Sequence, residues 1–400
     1  MRRLLAVATA LTLVCSGCDG GEEGPSGAAV ETATSEATLQ ASRATSLTVA
    51  VDACRDEVAA MLERRADAVA NAADGGGVVL GVVLPSGDVL SVGYTDRVTG
   101  LEVGADDRFH IGSITKIFTA TVVLQLAEEG TVEIDAPAVD YLDGVDLDAR
   151  VTVRDLLQHT SGIPNFAWDS NQLEAIYDHP ERFWIPGEQL DYVDVSELDF
   201  EPGTSWTYSN VGYIILGLII ENVTGATAVS ETRQRIFEPL GLNDTYFAGF
   251  EPEGGSVVIH YALDDADGDG LRDAVVDRQD PSAATFAWTA GGAVSSAADL
   301  TRFIAGLFSG VLLEPSSLTA MTEPRKGVSQ PVDYYGLGIM QVRYPGGLAW
   351  GHGGNYDGFT SFLAHDPKLG ISSVALLSTL GDEFGLGIQS LRLVARECHP

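Results

Sequence analysis

The pattern of apolar and polar residues predicts two buried helices in the first two thirds of the chain. Apolar residues recur at helical spacing after residue 113, and Gly130 provides a C-terminal stop, which predicts a largely buried helix of about five turns. The segment "GYIILGLII" at 212–220 is also apolar but too short to cross a bilayer. We expect it to be a core helix that follows the turn-forming "EPG" of 201–203.

The last third of the chain has the pattern of β-strands instead. The segments "TSFLAHD" (360–366) and "ISSVALLS" (371–378) are rich in strand-forming residues, and the turn "PKLG" separates them. They predict a hairpin, preceded by a glycine-rich strand at 352–354. Glycines in such a strand allow a ligand to approach the backbone closely.

The N-terminus has the composition of an export signal. Residues 1–18 contain two arginines, an apolar run and a small-residue exit, and they are too short to span a membrane. The ending "CSGC" resembles a bacterial lipobox, which predicts cleavage before Cys18 and lipidation of that cysteine; secretion without lipidation is the alternative. The sequence therefore predicts a bacterial protein exported to the periplasmic or extracellular face and anchored as a lipoprotein.

The composition of the rest of the chain separates a tether from a folded domain. Residues 19–47 contain few large apolar side chains and are predicted to form a disordered tether, so that the folded domain covers 48–400. A domain of this length is expected to have two lobes. The net charge of −34 excludes a typical nucleic-acid-binding surface, which needs clustered Lys and Arg.

Two cysteines outside the export signal are placed near opposite ends of the domain. In an oxidising compartment Cys54 and Cys398 are expected to form a disulfide, although sequence alone leaves open that they are two distant free thiols.

The first candidate for chemistry is "HIGSITKIFTA" at 110–120, which contains one of only three lysines in the chain. Ser113 and Lys116 are three residues apart and share one helix face. A desolvated lysine loses basicity and can exchange a proton near neutral pH, which would activate the serine hydroxyl. A lysine that extends from a core helix to solvent is the alternative interpretation.

Two further segments offer polar groups. Tyr208 and Asn210 are two residues apart, so in extended geometry they point to one side. His352 lies on the glycine-rich strand. Taken separately, each of these residues is more often structural.

In combination, Ser-x-x-Lys, Tyr-x-Asn and His-x-Gly resemble in order and context the serine hydrolase family of class C β-lactamases, D-alanyl-D-alanine carboxypeptidases (penicillin-binding-protein-like) and related esterases. The segments "LLQHTSGIPN", "TAGGAVSSAADLTRF" and "WGHGGNYDGFTSFLAHDP" are similar to family segments as well. The resemblance covers roughly 50–395. It implies an α+β fold with an antiparallel sheet flanked by helices (about 48–110 and 286–400), a mostly helical lobe (about 111–285) and an active site at their junction.

The resemblance also assigns roles to individual residues. Ser113 matches the acylated nucleophile, Lys116 the amine that shares its proton, and Tyr208 the phenol that acts as general base and later as acid. Asn210 and His352, with Gly354 beside them, match substrate-binding positions, and the backbone amides of Ser113 and Asn355 match the oxyanion hole. No cofactor is implied for catalysis.

The substrate expected from the resemblance is a D-alanyl-D-alanine cell-wall peptide, cleaved by a monomeric carboxypeptidase. A carboxylesterase, a weak β-lactamase and a penicillin-recognising sensor without turnover are the alternatives. The family often has Thr in the middle of the late-strand motif, where its hydroxyl helps to hold a substrate carboxylate, but this chain has Gly353. Arg343 offers a nearby charge, or is an exposed strand arginine.

One acidic loop has a separate chemistry. In "DADGDGLRD", four carboxylates take positions 1, 3, 5 and 9 of a calcium-loop pattern: Asp265, Asp267, Asp269 and Asp273. Val276 replaces the usual bidentate Glu, so the alternatives are a structural calcium site and a solvated acidic loop.

Overall fold

The computed structural model describes residues 54–68, 76–94, 102–166, 170–252, 257–258, 260–261, 274–275, 281–323, 334–379 and 382–398. Its strands are β1 (Val78–Val83), β2 (Val89–Tyr94), β3 (Arg108–His110), β4 (Tyr246–Phe247), β5 (His260–Tyr261), β6 (Ala274–Val275), β7 (Ala293–Ser296), β8 (Tyr334–Tyr335), β9 (Met340–Tyr344), β10 (Gly347–Tyr356), β11 (Phe359–Asp366) and β12 (Ile371–Leu377). Its helices are α1 (54–68), α2 (Thr115–Glu128), α3 (Val153–Gln158), α4 (Ser170–Tyr177), α5 (Asn210–Thr224), α6 (Ala228–Thr232), α7 (Glu238–Leu240), α8 (Pro281–Gly291), α9 (Ala297–Phe308), α10 (Pro315–Met321) and α11 (Glu383–Cys398).

The main sheet contains strands from both ends of the domain. Its strand order is β2-β1-β12-β11-β10-β9-β8, and every neighbouring pair is antiparallel. Within it, Val78 of β1 lies opposite Leu377 of β12. The predicted α+β class with an antiparallel sheet and helices is confirmed, as is the predicted late hairpin, which is β11 and β12.

Each face of this sheet packs against helices. On one face, α1 and α11 form a buried cluster with strand residues such as Leu80 and Ala375. On the other face, a larger cluster includes α2, α5, α8 and α9. The strands β1 and β12 are buried at every position because both of their faces are covered.

The two helices predicted from apolar spacing are both present and buried. Helix α2 is shorter than predicted, because residues Gly112–Ile114 form a tighter 3₁₀ turn before it begins. Gly130 follows its C-cap with a φ of +74°, as expected for a C-terminal stop. Helix α5 contains "GYIILGLII", and its N-cap, Ser209, accepts a hydrogen bond from the Gly212 N–H.

Within the described residues, no single helix has the length and apolar character needed to cross a bilayer. Only Asn210–Thr224 and Ala228–Leu240 taken together reach that length, and they are bent by 85°.

Helix α8 crosses the lobe boundary predicted near 286. It begins at Pro281, packs against α5 and α2, and is interrupted at Trp288, whose φ of +36° is outside helical geometry. A bulky residue with positive φ is strained, and such strain often occurs near functional sites.

The two domain cysteines are joined in the structure. Cys54 in α1 and Cys398 at the end of α11 form a disulfide, with Cα atoms 5.4 Å apart. Both helices lie on the same face of the main sheet, which explains how residues 344 positions apart come together.

Candidate active site

The turn that carries Ser113 is pressed against strand β10. Gly112 in this turn has a φ of +48°, and a Cβ there would lie 2.7 Å from the backbone nitrogen and oxygen of Asn355. A Cβ on Gly354 would collide with the carbonyl oxygen of Ile111. Two glycines therefore allow the backbones of Ser113 and Asn355 to reach the same cleft, where both residues are exposed to a ligand.

Lys116 is fully buried one helical turn after Ser113. Its Nζ lies 3.2 Å from Ser113 Oγ, 2.8 Å from Asn210 Oδ1 and 2.6 Å from the carbonyl oxygen of Ala290. Burial lowers the pKa of Lys116 well below its usual value. The neutral amine is therefore favoured, as predicted for a lysine that exchanges protons.

The hydrogen-bond partners of Lys116 fix the direction of its lone pair. A neutral amine has two N–H donors and one acceptor position. The oxygens of Asn210 and Ala290 can only accept, so they take both donors. In the charged amine, Nζ donates to Ser113 Oγ as its third hydrogen bond. In the neutral amine this third position holds the lone pair, so the serine hydroxyl can then donate to it. This arrangement makes Lys116 the nearest base for the serine proton.

Tyr208 lies beside this pair. Its phenol is hydrogen-bonded to the Ser113 side chain, and Lys116 Nζ is 4.8 Å from the centre of its ring. Burial raises the pKa of Tyr208 well above its usual value, and the Ser113 hydrogen bond offsets only part of this. The phenol therefore keeps its proton near neutral pH, which suits an acid more than the base suggested by family resemblance.

Asn210 is the first residue of α5, so it is not extended, as the two-residue spacing from Tyr208 had suggested. Its side chain still reaches Lys116, and it also lines the cleft. Its backbone N–H donates to Asn165 Oδ1 at 2.9 Å. The start of α5 is thereby fixed between the lysine and the loop that follows α3.

His352 lies behind the cleft and does not line it. The side chain is 1% exposed, its Nδ1–H donates to Gly353 O at 2.5 Å, and its Nε2 accepts from the Tyr335 hydroxyl at 3.0 Å. Burial, followed by the charge of Lys116, lowers the pKa of His352 to about 3. A neutral, buried imidazole cannot supply a positive charge to a substrate.

Gly353 points to the opposite face of the sheet. A Cβ there would lie 2.2 Å from the ring of Phe384 in α11. A threonine at this position would therefore face α11, and the absence of its hydroxyl from the cleft follows from the strand direction as well as from the residue type.

The cleft next to Ser113 has a volume of about 260 Å³, and polar and apolar atoms contribute almost equally to its wall. Its lining residues are Ser113, Phe166, Ile176, Tyr177, Asn210, Ala283, Phe286, Ala287, Ala290, Gly291, Asn355, Tyr356 and Asp357. Asp357 is the one charged side chain among these described residues. Arg343 is an exposed residue of β9 outside the cleft, where it lies over the ring of Tyr334.

Several parts of the site were not predicted from the sequence. The Ala290 carbonyl follows from the break in α8, and a backbone oxygen leaves no signal in residue types. His159 and Asn165 contact the Tyr208–Asn210 segment, and both belong to "LLQHTSGIPN", which was noted only as a family segment.

The acidic loop with Asp265, Asp267, Asp269 and Asp273 lies outside the described residues, so calcium binding there stays a prediction. Within the part of the chain that the structure describes, no group of three or more His, Cys, Asp or Glu side chains could hold a metal ion.

Comparisons with known proteins identify relatives of similar sequence. Penicillin-binding protein 4* of Bacillus subtilis (strain 168) is 32% identical over 187 residues, which are 44% of this chain and 39% of that protein. Esterase EstB of Burkholderia gladioli is 30% identical over 197 residues, 45% of this chain and 49% of that protein. The chain thus matches less than half of the length of either relative.

One solved structure is similar to this chain over a larger share of both chains than these two relatives are. The D-stereospecific amidohydrolase from Streptomyces sp. is similar with a TM-score of 0.69 and 30% identity, covering 82% of this chain and 95% of that one. The Beta-lactamase family model matches residues 54–395, which contain the turn with Ser113, the segments with Tyr208 and His352, and the whole main sheet. The chain therefore belongs to the Beta-lactamase family, whose fold it has and whose members include hydrolases.

Proposed function

We propose that this protein is a serine hydrolase that forms an acyl-enzyme on Ser113 and cleaves esters or amides with an uncharged or cationic acyl part. The observation that carries the proposal is the cleft, in which Ser113 opens onto aromatic and aliphatic side chains and the one described charge is the acid Asp357. Such a wall can accept apolar groups, and its described side chains offer nothing positive to a carboxylate.

The geometry supports a proton route through neutral groups. Ser113 Oγ attacks the substrate carbonyl while its proton moves to the lone pair of Lys116. We assign the stabilisation of the oxyanion to the backbone amides of Ser113 and Asn355, because both residues line the cleft. Tyr208 then donates its phenolic proton to the leaving oxygen or nitrogen as that bond breaks, and the proton on Lys116 restores the phenol. Water releases the acyl group by the reverse sequence.

A D-alanyl-D-alanine carboxypeptidase is the second candidate, and it is supported by the similarity to penicillin-binding protein 4*. Its substrate ends in a carboxylate, which needs a cation at the site. Among the described residues, His352 is neutral and buried, and Arg343 is outside the cleft. The geometry therefore favours hydrolysis of esters or amides over carboxypeptidase activity.

A substrate panel with the purified protein tests both candidates. It contains p-nitrophenyl esters, D-amino acid amides, D-alanyl-D-alanine peptides and a chromogenic cephalosporin, each measured with the Ser113→Ala variant as control. We expect turnover of esters or amides that disappears in the variant. Peptide turnover with greater kcat/KM than every ester and amide would establish the carboxypeptidase instead, and an acyl adduct on a residue other than Ser113 would contradict both.

We also propose export with a lipid anchor at Cys18, supported by the sequence of residues 1–18 and by the disulfide, which forms in oxidising compartments. Expression in a bacterial host with labelled fatty acid, compared with Cys18→Ser, tests this. Absence of label from the unaltered chain would contradict the anchor.

A further inference from the structure

His159 packs against Tyr208 and binds the chain beside it. It is the C-cap of α3, is 1% exposed and has a φ of +60°. Its carbonyl oxygen accepts a hydrogen bond from the Thr207 N–H at 3.1 Å, and its Nδ1 accepts one from the Ser209 N–H at 3.2 Å. One residue therefore binds the backbone on both sides of Tyr208.

The ring of His159 also limits where the phenol can move. Its centre lies 4.4 Å from that of Tyr208, and the rings of Trp206, Tyr213 and Tyr335 surround it at 5.8, 5.3 and 4.7 Å. The ring is thus enclosed on several sides and cannot shift without moving its neighbours.

We infer that His159 is a positioning residue that sets the distance between Tyr208 and Ser113 through its two hydrogen bonds to the adjacent backbone. This inference rests on the proposed acyl-enzyme chemistry. The backbone bond is available to any residue at position 159, but the side-chain bond requires an unprotonated nitrogen or an oxygen at the place of Nδ1. The imidazole meets this requirement as the tautomer with its proton on Nε2.

The surroundings keep the imidazole in that neutral form. Burial lowers the pKa of His159 well below its usual value, and a charge on Lys116 or His352, when either is protonated, lowers it further. A protonated ring would turn Nδ1 into a donor facing the Ser209 N–H, which would break the contact.

Two substitutions separate this role from simple packing. Asn is tolerated at positive φ, and its Oδ1 can accept from Ser209 as Nδ1 does, whereas Phe fills the cage without an acceptor. Acylation of the full chain by p-nitrophenyl acetate and by an alkyl ester is measured per mole of active Ser113, titrated to completion with a fluorophosphonate. We expect His159→Phe to lower kcat for the alkyl ester by about 10–100-fold at similar KM, as for a small misplacement of a reacting group, and His159→Asn to stay within about 5-fold of the unaltered protein.

A double-variant cycle identifies the residue through which His159 acts. In a Tyr208→Phe background, the further change His159→Phe should cost less than about 2-fold, because the group that it positions is already gone. If the Phe variant does not fold, His159→Ala replaces it in the same comparison. Equal losses in the Asn and Phe variants, or an undiminished loss in the Tyr208→Phe background, would overturn the inference. An inactive unaltered protein would instead reject the proposed function.

Discussion

Lys116 Nζ lies 2.6 Å from the carbonyl oxygen of Ala290, which is 174 residues later in the chain. The contact exists because α8 breaks at Trp288 and its last turn approaches α2. The carbonyl oxygen accepts one N–H of the lysine and has no proton to donate in return. The lone pair of the neutral amine therefore stays available to Ser113.

The first prediction concerns the protonation of Lys116. The active form is the neutral amine, so kcat/KM should rise with pH through the pKa of Lys116 and reach a plateau well below the usual value of 10.5. Asn210→Asp places a carboxylate beside Nζ, which favours the charged amine and should move this rise to higher pH by about 1 unit or more. Kinetics with a p-nitrophenyl ester measure kcat/KM against pH for the unaltered protein and for Asn210→Asp. Identical pH dependence in the two proteins would count against Lys116 as the base.

Tyr208 should matter most when the leaving group needs a proton. We expect Tyr208→Phe to lower kcat for an alkyl ester or amide by about 10²–10⁴-fold, because its raised pKa keeps the phenol as an acid. A p-nitrophenolate leaves without protonation, so Tyr208→Phe should lower kcat much less for a p-nitrophenyl ester. Parallel assays of the two ester types decide the point, and equal losses would favour a base role for the phenol.

Asp357 should bias the choice of substrate. It is exposed at the turn between β10 and β11, so its charge acts through water and its effect is modest. We expect Asp357→Asn to reduce the preference for substrates with a free amine over matched uncharged ones by about 2–5-fold, with a smaller difference at high salt. The ratio of kcat/KM values for a D-amino acid ester and its N-acetyl form measures this preference. A ratio unaffected by the substitution would show that Asp357 does not contact the acyl part.

Substitution of Gly353 should affect stability more than specificity. Threonine at this position would press on Phe384, so Gly353→Thr should destabilise the fold by about 1–3 kcal/mol. The double variant Gly353→Thr with Phe384→Ala should regain part of that loss and should not gain carboxypeptidase activity. Chemical denaturation and the peptide assay check the two expectations, and new peptide turnover would mean that the threonine reaches the cleft.

The disulfide should contribute measurable stability. Cys54 and Cys398 close a loop of more than 300 residues, and its removal should lower the free energy of unfolding by about 2–5 kcal/mol. Thermal unfolding with and without reductant measures the effect. A Cys54→Ser, Cys398→Ser double variant serves as control, because it should melt at the lower temperature in both conditions; sensitivity of that variant to reductant would point to another thiol.

Much of this architecture could be predicted from the sequence, because the motifs place chemical groups by type. The motifs indicated Ser113, Lys116 and Tyr208 as candidates, and the structure brings these three side chains together. The buried helices followed from apolar spacing. The Ala290 carbonyl could not be foreseen, since it depends on a strained tryptophan in another helix. Nor could the burial of His352, because a motif gives the residue type but not the side chain's hydrogen-bond partner.

The arrangement of the main sheet has a consequence for how the chain acquires its structure. Strand β12, near the C-terminus, lies between β1 and β11, so β1 has no long neighbour on that side until almost the whole chain is available. The main sheet cannot be completed before β12 has been synthesised, because β12 joins β1 to β11. We expect β1 and β11 to lack their common neighbour, and the apolar faces of these strands to stay exposed, until β12 has been synthesised.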